Sequence, residues 1–475
     1  MYRKSFCVHG HFYQPPREDP LTGVIPVESG AAPYQNWNER IHVECYKPNA
    51  ELGNFERISF NIGPTLFRWM EQYDPQTLRA IVAQDQANVY RYGVGNAIAQ
   101  SYNHTILPLA SYRDKVTQVA WGIADFRHRF GRAPQGMWLP ETAVDTETLM
   151  VLADFGIQFT ILAPWQADTA FLDPTQPYRV SLPGQREMIV FFYQRELSTM
   201  VSFEDSATVN ADAFLREHIR PHFQTRTAQL GRPQIITLAS DGELYGHHKP
   251  QREYFLAHLT NGARRALQID ITYPGLWLKE FTPSETIKIR YNTSWSCHHG
   301  VERWAGGCTC TPGDSTWKGR MRAAFNRLSD ALDEIFYRTL QPFVVKPWEL
   351  RNRYIEVILG RVDLQTLLND MGVPQLNQET YQRIHHLLEA QYEGQRMYTS
   401  CGWFFEDFDR IEPRNSVAYA AQAVLLMKKA TGIDLAPRAA YWLRTVSSPR
   451  TGLSADKVFL QHLQRTIEQD ILPVH

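Results

Sequence analysis

Short apolar segments alternate with helical patterns in the chain up to residue 312. Segments rich in apolar and β-branched residues occur at 6–8, 157–163, 188–193 and 235–239. Between them lie stretches with apolar residues three and four positions apart, such as 116–130, which the helix-ending residues Gly131 and Pro134 follow. No obvious hairpin turn joins the segments, so the strands are expected to run parallel. This α/β pattern predicts a parallel sheet, open or closed, and we favour a barrel.

The sequence pattern changes after Pro312-Gly313-Asp314. Apolar residues at helical spacing form one long stripe, with Asp314 or Ser315 placed to cap its start. The stripe comprises Trp317, Met321, Phe325, Leu328, Leu332, Ile335, Phe336 and Leu340. Further helical patterns follow at 354–359 and 417–427, without clear strand signals. We therefore predict two domains, a catalytic β/α barrel with helical insertions at 1–312 and a mostly helical domain at 313–475.

Composition narrows the classes of partner and compartment. The 49 Lys and Arg residues balance 50 Asp and Glu residues, and no long run of either sign occurs. This balance argues against nucleic-acid and membrane-surface partners. No apolar run is long enough to span a bilayer, and the 6 cysteines are too sparse for a disulfide framework. We predict a cytoplasmic protein.

Three polar segments follow predicted strands. They are HGHFYQPP at 9–16, GMWLPE at 136–141 and SDGELYGHH at 240–248. Reactive groups of parallel α/β folds gather where strands end, and apolar surroundings there raise carboxyl pKa values. Glu141 and Asp241 each close a different strand, and two facing carboxylates are the groups that break or transfer a glycosidic bond. The aromatic content of 12% is suggestive of sugar stacking.

These segments, in this order, resemble the sequence regions of glycoside hydrolase family 57. HGHFYQPP is similar to the first region, ILPLA at 106–110 to the second, GMWLPE to the third and SDGELYGHH to the fourth. TSCGWFFEDFD at 399–409 resembles a segment of the helical part. The family contains retaining α-glucan-active amylases, 4-α-glucanotransferases and branching enzymes. The resemblance implies an incomplete (β/α)7 barrel followed by helices that close the cleft.

The resemblance also implies roles for the acidic residues. Glu141 matches the nucleophile, which forms a covalent glycosyl intermediate, and Asp241 matches the general acid/base. Glu243 then either positions substrate and tunes Asp241 or lies on the surface. The implied reaction is hydrolysis or transglycosylation of an α-linked glucan or related oligosaccharide or polysaccharide, with no cofactor.

The opening segment supplies candidate sugar-binding residues. His9 and His11 lie on an extended backbone, so both need not face one pocket, and zinc would require further ligands. The resemblance instead makes His11, with Gln14, a hydrogen-bonding wall for a sugar hydroxyl. His9 is either a second such residue or a packed histidine. Phe12 and Tyr13 separate His11 from Gln14, where many family members have the His and Gln-Pro adjacent, which puts the placement of Gln14 in question.

Further substrate-binding candidates lie near the other regions. His104 precedes ILPLA and resembles a histidine often found there, although a polar residue beneath a loop is an equal alternative. Trp138 and Trp403 are candidate stacking platforms, although tryptophans are more often packed. His247 completes the set through its place in SDGELYGHH.

A cysteine-rich segment, SWSCHHGVERWAGGCTC, spans residues 294–310. Cys297, Cys308 and Cys310 with His298 or His299 form a possible zinc set, but the Cys-x-Cys spacing is tighter than a usual structural knuckle. We therefore expect buried thiols in a loop at the edge of the cleft, and no metal. Similar loops occur in an uncharacterised branch of the family, and membership in that branch would leave the substrate open.

Two alternatives remain from the residues alone. In the first, Asp241, His247, His248 and His11 bind a zinc ion that activates water for sugar deacetylation. In the second, the chain binds carbohydrate without catalysis. The paired acids at strand ends weigh against the second alternative, because a binding protein has little use for them.

Overall fold

The structure is a computed structural model that describes residues 3–224, 227 and 229–471. Its internal contacts form two compact units. The first unit comprises the residues up to Gln14 together with Val27–Tyr102 and Phe126–Trp295, and the second comprises Pro15–Pro26, Asn103–Asp125 and the residues from Ser296 on. A domain boundary after residue 312 stays a prediction.

All strands of the described residues belong to the first unit. They are β1 (Lys4–Phe12), β2 (Ser59–Ile62), β3 (Ala99–Gln100), β4 (Met137–Trp138), β5 (Phe159–Leu162), β6 (Tyr178–Leu182), β7 (Arg186–Phe192), β8 (Gln234–Asp241) and β9 (Asp270–Ile271). The segments predicted at 6–8, 157–163, 188–193 and 235–239 all contain or overlap these strands, which confirms them. β1 is longer than predicted and includes His9 and His11.

The strands pair in parallel, as predicted. β1 pairs with both β2 and β8, β3 pairs with β4, and β5 pairs with β7. Single parallel bridges from Phe60 to Ala97 and from Gly136 to Phe159 connect these groups. The resulting order is β8-β1-β2-β3-β4-β5-β7, with β9 beside the first half of β1. The amide of Gln194, just after β7, donates to the carbonyl of Thr237 in β8 (2.7 Å).

One connection departs from the prediction. β6 and β7 form an antiparallel hairpin whose turn is Pro183-Gly184-Gln185. Gly184 has φ +72°, a left-handed conformation that favours glycine. The Pro-Gly signal was present in the sequence, and the parallel interpretation overlooked it. β6 covers the edge of β7 that would otherwise remain unpaired.

Helices alternate with the strands along the chain up to residue 280. They are Trp37–Ile41, Lys47–Glu51, Pro64–Tyr73, Pro75–Tyr92, Tyr112–Phe130, Thr146–Asp154, Arg195–Phe203, Ala211–Ala213, Arg252–His258, Arg264–Leu267 and Pro274–Glu280. Tyr112–Phe130 contains the helix predicted at 116–130. It ends at Gly131, whose φ of +66° terminates the helical conformation.

The region after residue 295 is helical within the described residues. Its helices are Glu302–Ala305, Thr316–Leu340, Pro347–Arg353, Ile355–Ile358, Leu364–Asp370, Gln378–Arg396, Cys401–Phe404, Ile411–Thr431, Ala436–Leu443 and Ala455–Ile471. The predicted long stripe is the helix Thr316–Leu340, and it buries most of its apolar residues. Its cap residue is Ser315, while the Asp314 carboxylate accepts a hydrogen bond from the Thr316 amide (2.9 Å). No helix among the described residues has the length and apolar character needed to cross a membrane.

An apolar cluster packs side chains from several strands against one another. Ile161 from β5, Phe191 from β7 and Ile235 from β8 are at most 1% exposed and pack together with Trp138 from β4. Burial of such side chains supplies the main free energy that holds the strands in register. The polar side chains at the strand ends therefore lie next to a closely packed apolar core.

Replacing Ile161 by Ala tests this packing. We expect the free energy of unfolding to fall by about 2–5 kcal/mol, because the substitution leaves a cavity among residues that cannot fully close it. Val209→Ala is the control, since Val209 is 67% exposed and its truncation should change stability by less than about 0.5 kcal/mol. Denaturant unfolding followed by tryptophan fluorescence measures both. Equal effects from the two substitutions would contradict the assignment of Ile161 to the core.

Candidate active site

The pairing of β1 with β8 brings two sequence-predicted segments together. Its register continues without interruption from Lys4 opposite Gln234 to His11 opposite Asp241. The segments containing these last two residues are more than two hundred positions apart in the chain, yet the ladder makes them neighbours at the same end of the sheet. The carboxyl ends of parallel strands are the usual location of reactive groups in such folds.

His9 and His11 share one face of β1, since residues two apart on a strand point to the same side. The sequence left this open, and the structure resolves it through Asn61 of β2. The Nδ2 group of Asn61 is 2.9 Å from Nδ1 of His11, while its Oδ1 is 3.1 Å from Nε2 of His9. Ser59 Oγ lies 2.9 Å from the other ring nitrogen of His9. This network assigns Nδ1 of both rings as the acceptor and Nε2 as the protonated nitrogen.

Both histidines are held neutral. Burial lowers the pKa of His9 to about 3, with a further contribution from His11, and burial lowers the pKa of His11 to about 3. Trp138 stacks against both rings, with centroid distances of 4.7 Å to His9 and 5.2 Å to His11. A neutral imidazole can donate a hydrogen bond to a sugar hydroxyl without placing a positive charge beside the acids.

Glu141 lies in a tight turn that follows β4. Its backbone has φ 57° and ψ 20°, and Thr142 also has a positive φ of 49°. Left-handed backbone is unfavourable for residues with a Cβ, and it persists where surrounding contacts enforce it. Gln166 supplies such contacts. Its Nε2 donates to the carbonyl of Thr142 (2.8 Å), and its Oε1 accepts from the Thr142 hydroxyl (2.9 Å) and the Ala163 amide (2.8 Å).

Trp295 holds Glu141 through two hydrogen bonds. The indole Nε1 donates to Oε2 of Glu141 (3.0 Å), and the Trp295 amide donates to the Glu141 carbonyl (3.0 Å). The indole ring also meets Trp138 edge to face, with centroids 5.0 Å apart. A donor fixed by its own backbone limits the rotation of the carboxylate. Glu141 is half-buried, so part of its surface remains accessible.

Asp241 is the exposed last residue of β8. Solvent reaches it, while protein atoms surround it on its other sides. Desolvation by these surroundings, together with the negative charge of Glu141, raises the pKa of Asp241 to about 7. The interaction with Glu141 joins two acids that are one hundred positions apart in the sequence. One acid that remains charged beside another that keeps its proton is the pattern of a nucleophile and a general acid.

Glu243 is buried, so the alternative that it lies on the surface is wrong. Burial, followed by the charge of Asp241, raises the pKa of Glu243 to about 8. The Tyr46 hydroxyl donates to its Oε1 (2.7 Å), as does the Tyr13 amide (3.1 Å). Gln14 is buried and hydrogen-bonds to the Tyr46 hydroxyl. Phe12 and Tyr13 therefore do not remove Gln14 from this network.

The remaining candidates have other surroundings. His247 contacts the carboxylate of Glu44, and Trp37 meets its ring at 5.9 Å. His104 belongs to the second unit, where it is buried and its Nδ1 lies 2.6 Å from Ser400 Oγ. This packing agrees with its alternative as a satisfied polar residue beneath a loop.

The two predicted stacking platforms are packed instead. Trp138 and Trp403 are both 0% exposed. Trp138 lies against the two histidines, and the Nε1 group of Trp403 donates to the Lys318 carbonyl (3.1 Å). Neither indole has a free face for a sugar ring, so we do not assign a direct stacking role to them. The apolar surface of tryptophan favours burial, and one residue in a sequence does not reveal which face of the protein it meets.

The metal set of the deacetylase alternative does not form. Within the described ranges, one group of three or more His, Cys, Asp and Glu side chains has its ligand atoms within 4.8 Å of one another, and it contains none of Asp241, His247, His248 and His11. Glu44 engages His247, while the two strand histidines bind Asn61. A zinc site needs three or four convergent ligands, so these residues do not support that alternative.

Four residues of the site were not identified from the sequence, namely Asn61, Tyr46, Gln166 and Trp295. Asn61 interrupts the apolar strand SFNI, and a polar residue inside a buried strand requires a partner, which is the signal that was available. Trp295 lies far from both acids in the sequence and within the cysteine-rich segment. Its spacing gave no indication that it would meet Glu141.

The pKa of Asp241 leads to a prediction about stability. The ordinary pKa is 3.8 and the folded pKa is about 7, so this group does not affect stability below about pH 4. Its penalty on the folded state grows between about pH 4 and pH 7 and stays constant above that range. Asp241→Asn removes this penalty. We expect the variant to melt at a higher temperature than the wild type at pH 8 and to lose this advantage toward pH 4.

Thermal unfolding at several pH values measures the effect. Glu204→Gln is the control, because Glu204 is exposed at the end of a helix. A gain for Asp241→Asn that is largest at low pH would contradict the raised pKa.

Comparison with known proteins identifies two sequence regions. The profile of the family described as "Glycosyl hydrolase family 57" matches residues 11–294, and a domain of unknown function, DUF3536, matches residues 314–468. No curated protein matches the chain.

Solved structures of that family have the same fold. An exo-type maltose-forming amylase from Pyrococcus sp. ST04 superposes with a TM-score of 0.78 at 15% identity, over 98% of this chain and 89% of the other. A branching enzyme from Thermococcus kodakaraensis gives 0.61 at 15% identity, over 97% and 94%. The α-amylase AmyC from Thermotoga maritima gives 0.55 at 14%, over 97% and 98%. These likenesses confirm the predicted class, an incomplete (β/α)7 barrel followed by a mostly helical region.

The family profile covers more than half of the chain and includes both candidate catalytic acids. The parallel sheet, the order of the matching segments and the full-length structural likeness agree with it. The chain belongs to glycoside hydrolase family 57.

Proposed function

We propose that the chain is a retaining glycoside hydrolase or transglycosylase that acts on an α-linked glucan or a related oligosaccharide or polysaccharide. Glu141 is the nucleophile and Asp241 is the general acid and base. The observation that carries the proposal is the electrostatic interaction of these two acids, which contributes to a pKa of about 7 for Asp241. At neutral pH this value leaves a substantial fraction of Asp241 protonated, and a general acid works best when its pKa lies near the working pH.

In the first half of the reaction, a carboxylate oxygen of Glu141 attacks the anomeric carbon. The bond from that carbon to the glycosidic oxygen breaks, and the Asp241 proton moves to the leaving oxygen. The Trp295 indole, 3.0 Å from Oε2 of Glu141, orients the attacking group. His11 donates from Nε2 to a sugar hydroxyl, and its neutral state follows from burial, which lowers its pKa to about 3.

In the second half, the Asp241 carboxylate takes a proton from water or from the hydroxyl of another sugar. The resulting oxygen nucleophile attacks the anomeric carbon and releases Glu141, so two inversions retain the configuration. Glu243 lies beside Asp241, with its carboxyl fixed by Tyr46 and Tyr13. We assign to Glu243 the role of contacting substrate, with Gln14 beside it in the polar wall. His9 is a packed histidine behind this wall, because its two ring nitrogens meet Ser59 and Asn61.

The α-glucan assignment is supported by family membership and by the activities named for structural relatives, a maltose-forming amylase and a branching enzyme. Incubation with a panel of α-glucans and other oligosaccharides tests it, with products separated by size and their anomeric form read by NMR. Retained configuration is the expected result, and inverted products would exclude the covalent mechanism. The cytoplasmic location and the absence of a nucleic-acid partner stay predictions.

Substrates of different leaving-group ability separate the roles of the two acids. Asp241→Asn should slow cleavage of a glucan about 10²–10⁴-fold, because no proton reaches the leaving oxygen. The same variant should retain far more activity in forming the glycosyl intermediate from a nitrophenyl glycoside, whose leaving group needs little protonation. Glu141→Gln should lose activity on both substrates, because the nucleophile is absent.

Pre-steady-state release of nitrophenol measures this difference, and circular dichroism confirms that the variants fold. Glu204→Gln serves again as the control and should match the wild type. Full turnover of a glucan by Glu141→Gln would refute its role as nucleophile. Glucan binding without turnover by the wild type across the panel would favour the non-catalytic alternative.

Trp295→Phe tests the orientation of the nucleophile. The substitution keeps an aromatic ring and the backbone hydrogen bond but removes the Nε1 donor to Glu141. Hydrogen bonds to charged groups contribute about 1.5–3 kcal/mol, which corresponds to a loss of roughly 10- to 150-fold in kcat. Trp165→Phe is the matched control, because its Nε1 donates to the Ser294 carbonyl and not to either acid (2.9 Å). An unchanged kcat for Trp295→Phe would rule out this positioning role.

A further inference from the structure

A second cluster of reactive side chains lies in the second unit, in the cysteine-rich segment that precedes the helix Thr316–Leu340. It consists of Cys297, His299, Cys308 and Cys310, whose ligand atoms all lie within 4.8 Å of one another. We call it the Cys3His cluster. None of its members belongs to the candidate active site, and the proposed reaction does not use them.

The distances within the Cys3His cluster match those of a metal site. Cys297 Sγ and Cys308 Sγ are 3.6 Å apart, and His299 Nδ1 is 3.3 Å from Cys310 Sγ. Cys297, Cys308 and Cys310 are not joined by disulfides, which would require a sulfur separation of about 2.05 Å. Tetrahedral zinc with Zn–S bonds of about 2.3 Å places its sulfur ligands about 3.8 Å apart. The separation of 3.6 Å between Cys297 and Cys308 is close to this value, and the 4.8 Å limit on the other pairs brings all four ligand atoms near one position.

We propose that the Cys3His cluster binds one Zn²⁺ ion as a structural site. Three thiolates and one imidazole complete a four-coordinate shell, which leaves no open position for water or substrate. The site is consequently a clamp for the segment 297–310 and has no catalytic function. It replaces our expectation from the sequence of buried thiols without a metal.

The Cys-x-Cys spacing, which argued against zinc in the sequence, is compatible with a zinc site in the structure. Cys297 and His299 form one closely spaced pair, and Cys308 and Cys310 form another, with the short helix Glu302–Ala305 between them. Each pair supplies two ligands, and the segment between the pairs folds back so that all four ligand atoms meet. The site therefore does not need the Cys-x-x-Cys spacing of a usual zinc knuckle. Gly307 has φ +92°, and a Cβ there would approach the Ser315 carbonyl oxygen to 2.3 Å. Glycine is thus required for the chain to bring Cys308 to the cluster.

Two buried cations lie beside the cluster and place positive charge near its sulfurs. Lys318 is 0% exposed and interacts electrostatically with the Cys297 and Cys308 thiols. Arg303 is 8% exposed and donates to the carbonyls of Ser296 (2.9 Å) and Cys310 (3.4 Å). Zn²⁺ with three thiolates carries one net negative charge, which these cations offset.

The site is also open to metal entry. His299 is exposed, Cys308 and Cys310 are half-buried, and Cys297 is buried. This gradient lets an ion approach from solvent and then reach the innermost thiol. An apolar packing role would require all three sulfurs to be buried, as free cysteines in cores are.

Metal analysis of the full-length chain tests the proposal. The protein is purified without a polyhistidine tag, stripped with a chelator under reducing conditions, reloaded with Zn²⁺ and separated from free ion. We expect roughly one zinc per chain. Reloading with Co²⁺ in place of Zn²⁺ should give the visible absorption and sulfur-to-metal charge-transfer bands of tetrahedral thiolate coordination.

Substitutions identify the ligands. Cys297→Ser, Cys308→Ser, Cys310→Ser and His299→Ala should each lose zinc to a competing chelator that leaves the wild type loaded. His299→Cys should keep zinc, because it supplies a fourth thiolate. The matched controls are His298→Ala, which alters the exposed neighbour of His299, and Cys401→Ser, which removes a thiol of the same unit outside the cluster. Both controls should keep zinc.

Three results would overturn the proposal. The first is a folded wild-type chain that takes up neither Zn²⁺ nor Co²⁺ after reduction and reloading. The second is full zinc content in the double variant Cys308→Ser/Cys310→Ser. The third is a Co²⁺ spectrum without thiolate charge transfer. The first and third need no substitution, so a variant that fails to fold does not affect them. Glucan turnover is not part of the test, so the outcome is independent of the proposed activity.

Discussion

The parallel ladder between β1 and β8 is the constraint on which the candidate site depends. Eight consecutive residue pairs fix its register, and the last of them sets His11 beside Asp241. A slip of one residue would turn the histidine face of β1 away from Asn61 and would move Asp241 from the strand end. Such a slip would also expose apolar side chains of the core cluster to water, which opposes it. The relative positions of the polar side chains in the candidate site therefore depend on the strand register.

Burial acts in opposite directions on the two kinds of titratable group at this end of the sheet. It lowers the pKa values of His9 and His11 and raises those of Asp241 and Glu243, so each group is shifted toward its neutral form. Glu141 differs, because it is half-buried and receives the indole donor of Trp295. Glu141 thus lies among groups that are shifted toward their neutral forms. The desolvation that raises the pKa of Asp241, the proposed general acid, also makes the folded state less stable at neutral pH than it would be with an ordinary pKa.

The sequence predicted the parts of the fold that depend on local pattern and order. Glu141 and Asp241 were predicted as the catalytic acids because strand-ending acids are visible as short motifs, and their roles stay predictions. The parallel strands followed from apolar segments separated by helices. The hairpin between β6 and β7 was missed because the parallel interpretation outweighed its Pro-Gly signal. Trp295 and Asn61 were missed for a different reason, since their roles arise from contacts between distant segments. The burial of Trp138 likewise became visible only when its neighbours were known.

The left-handed backbone of Glu141 has a consequence for the stability of the protein. An L-residue with a Cβ pays a conformational penalty at φ 57°, whereas glycine adopts that angle freely. The position of the proposed nucleophile is thus one where the backbone conformation itself favours glycine. A library selected only for resistance to heat would enrich glycine there and yield sturdier but inert molecules. The proposed catalytic role and thermal stability therefore favour different residues at position 141.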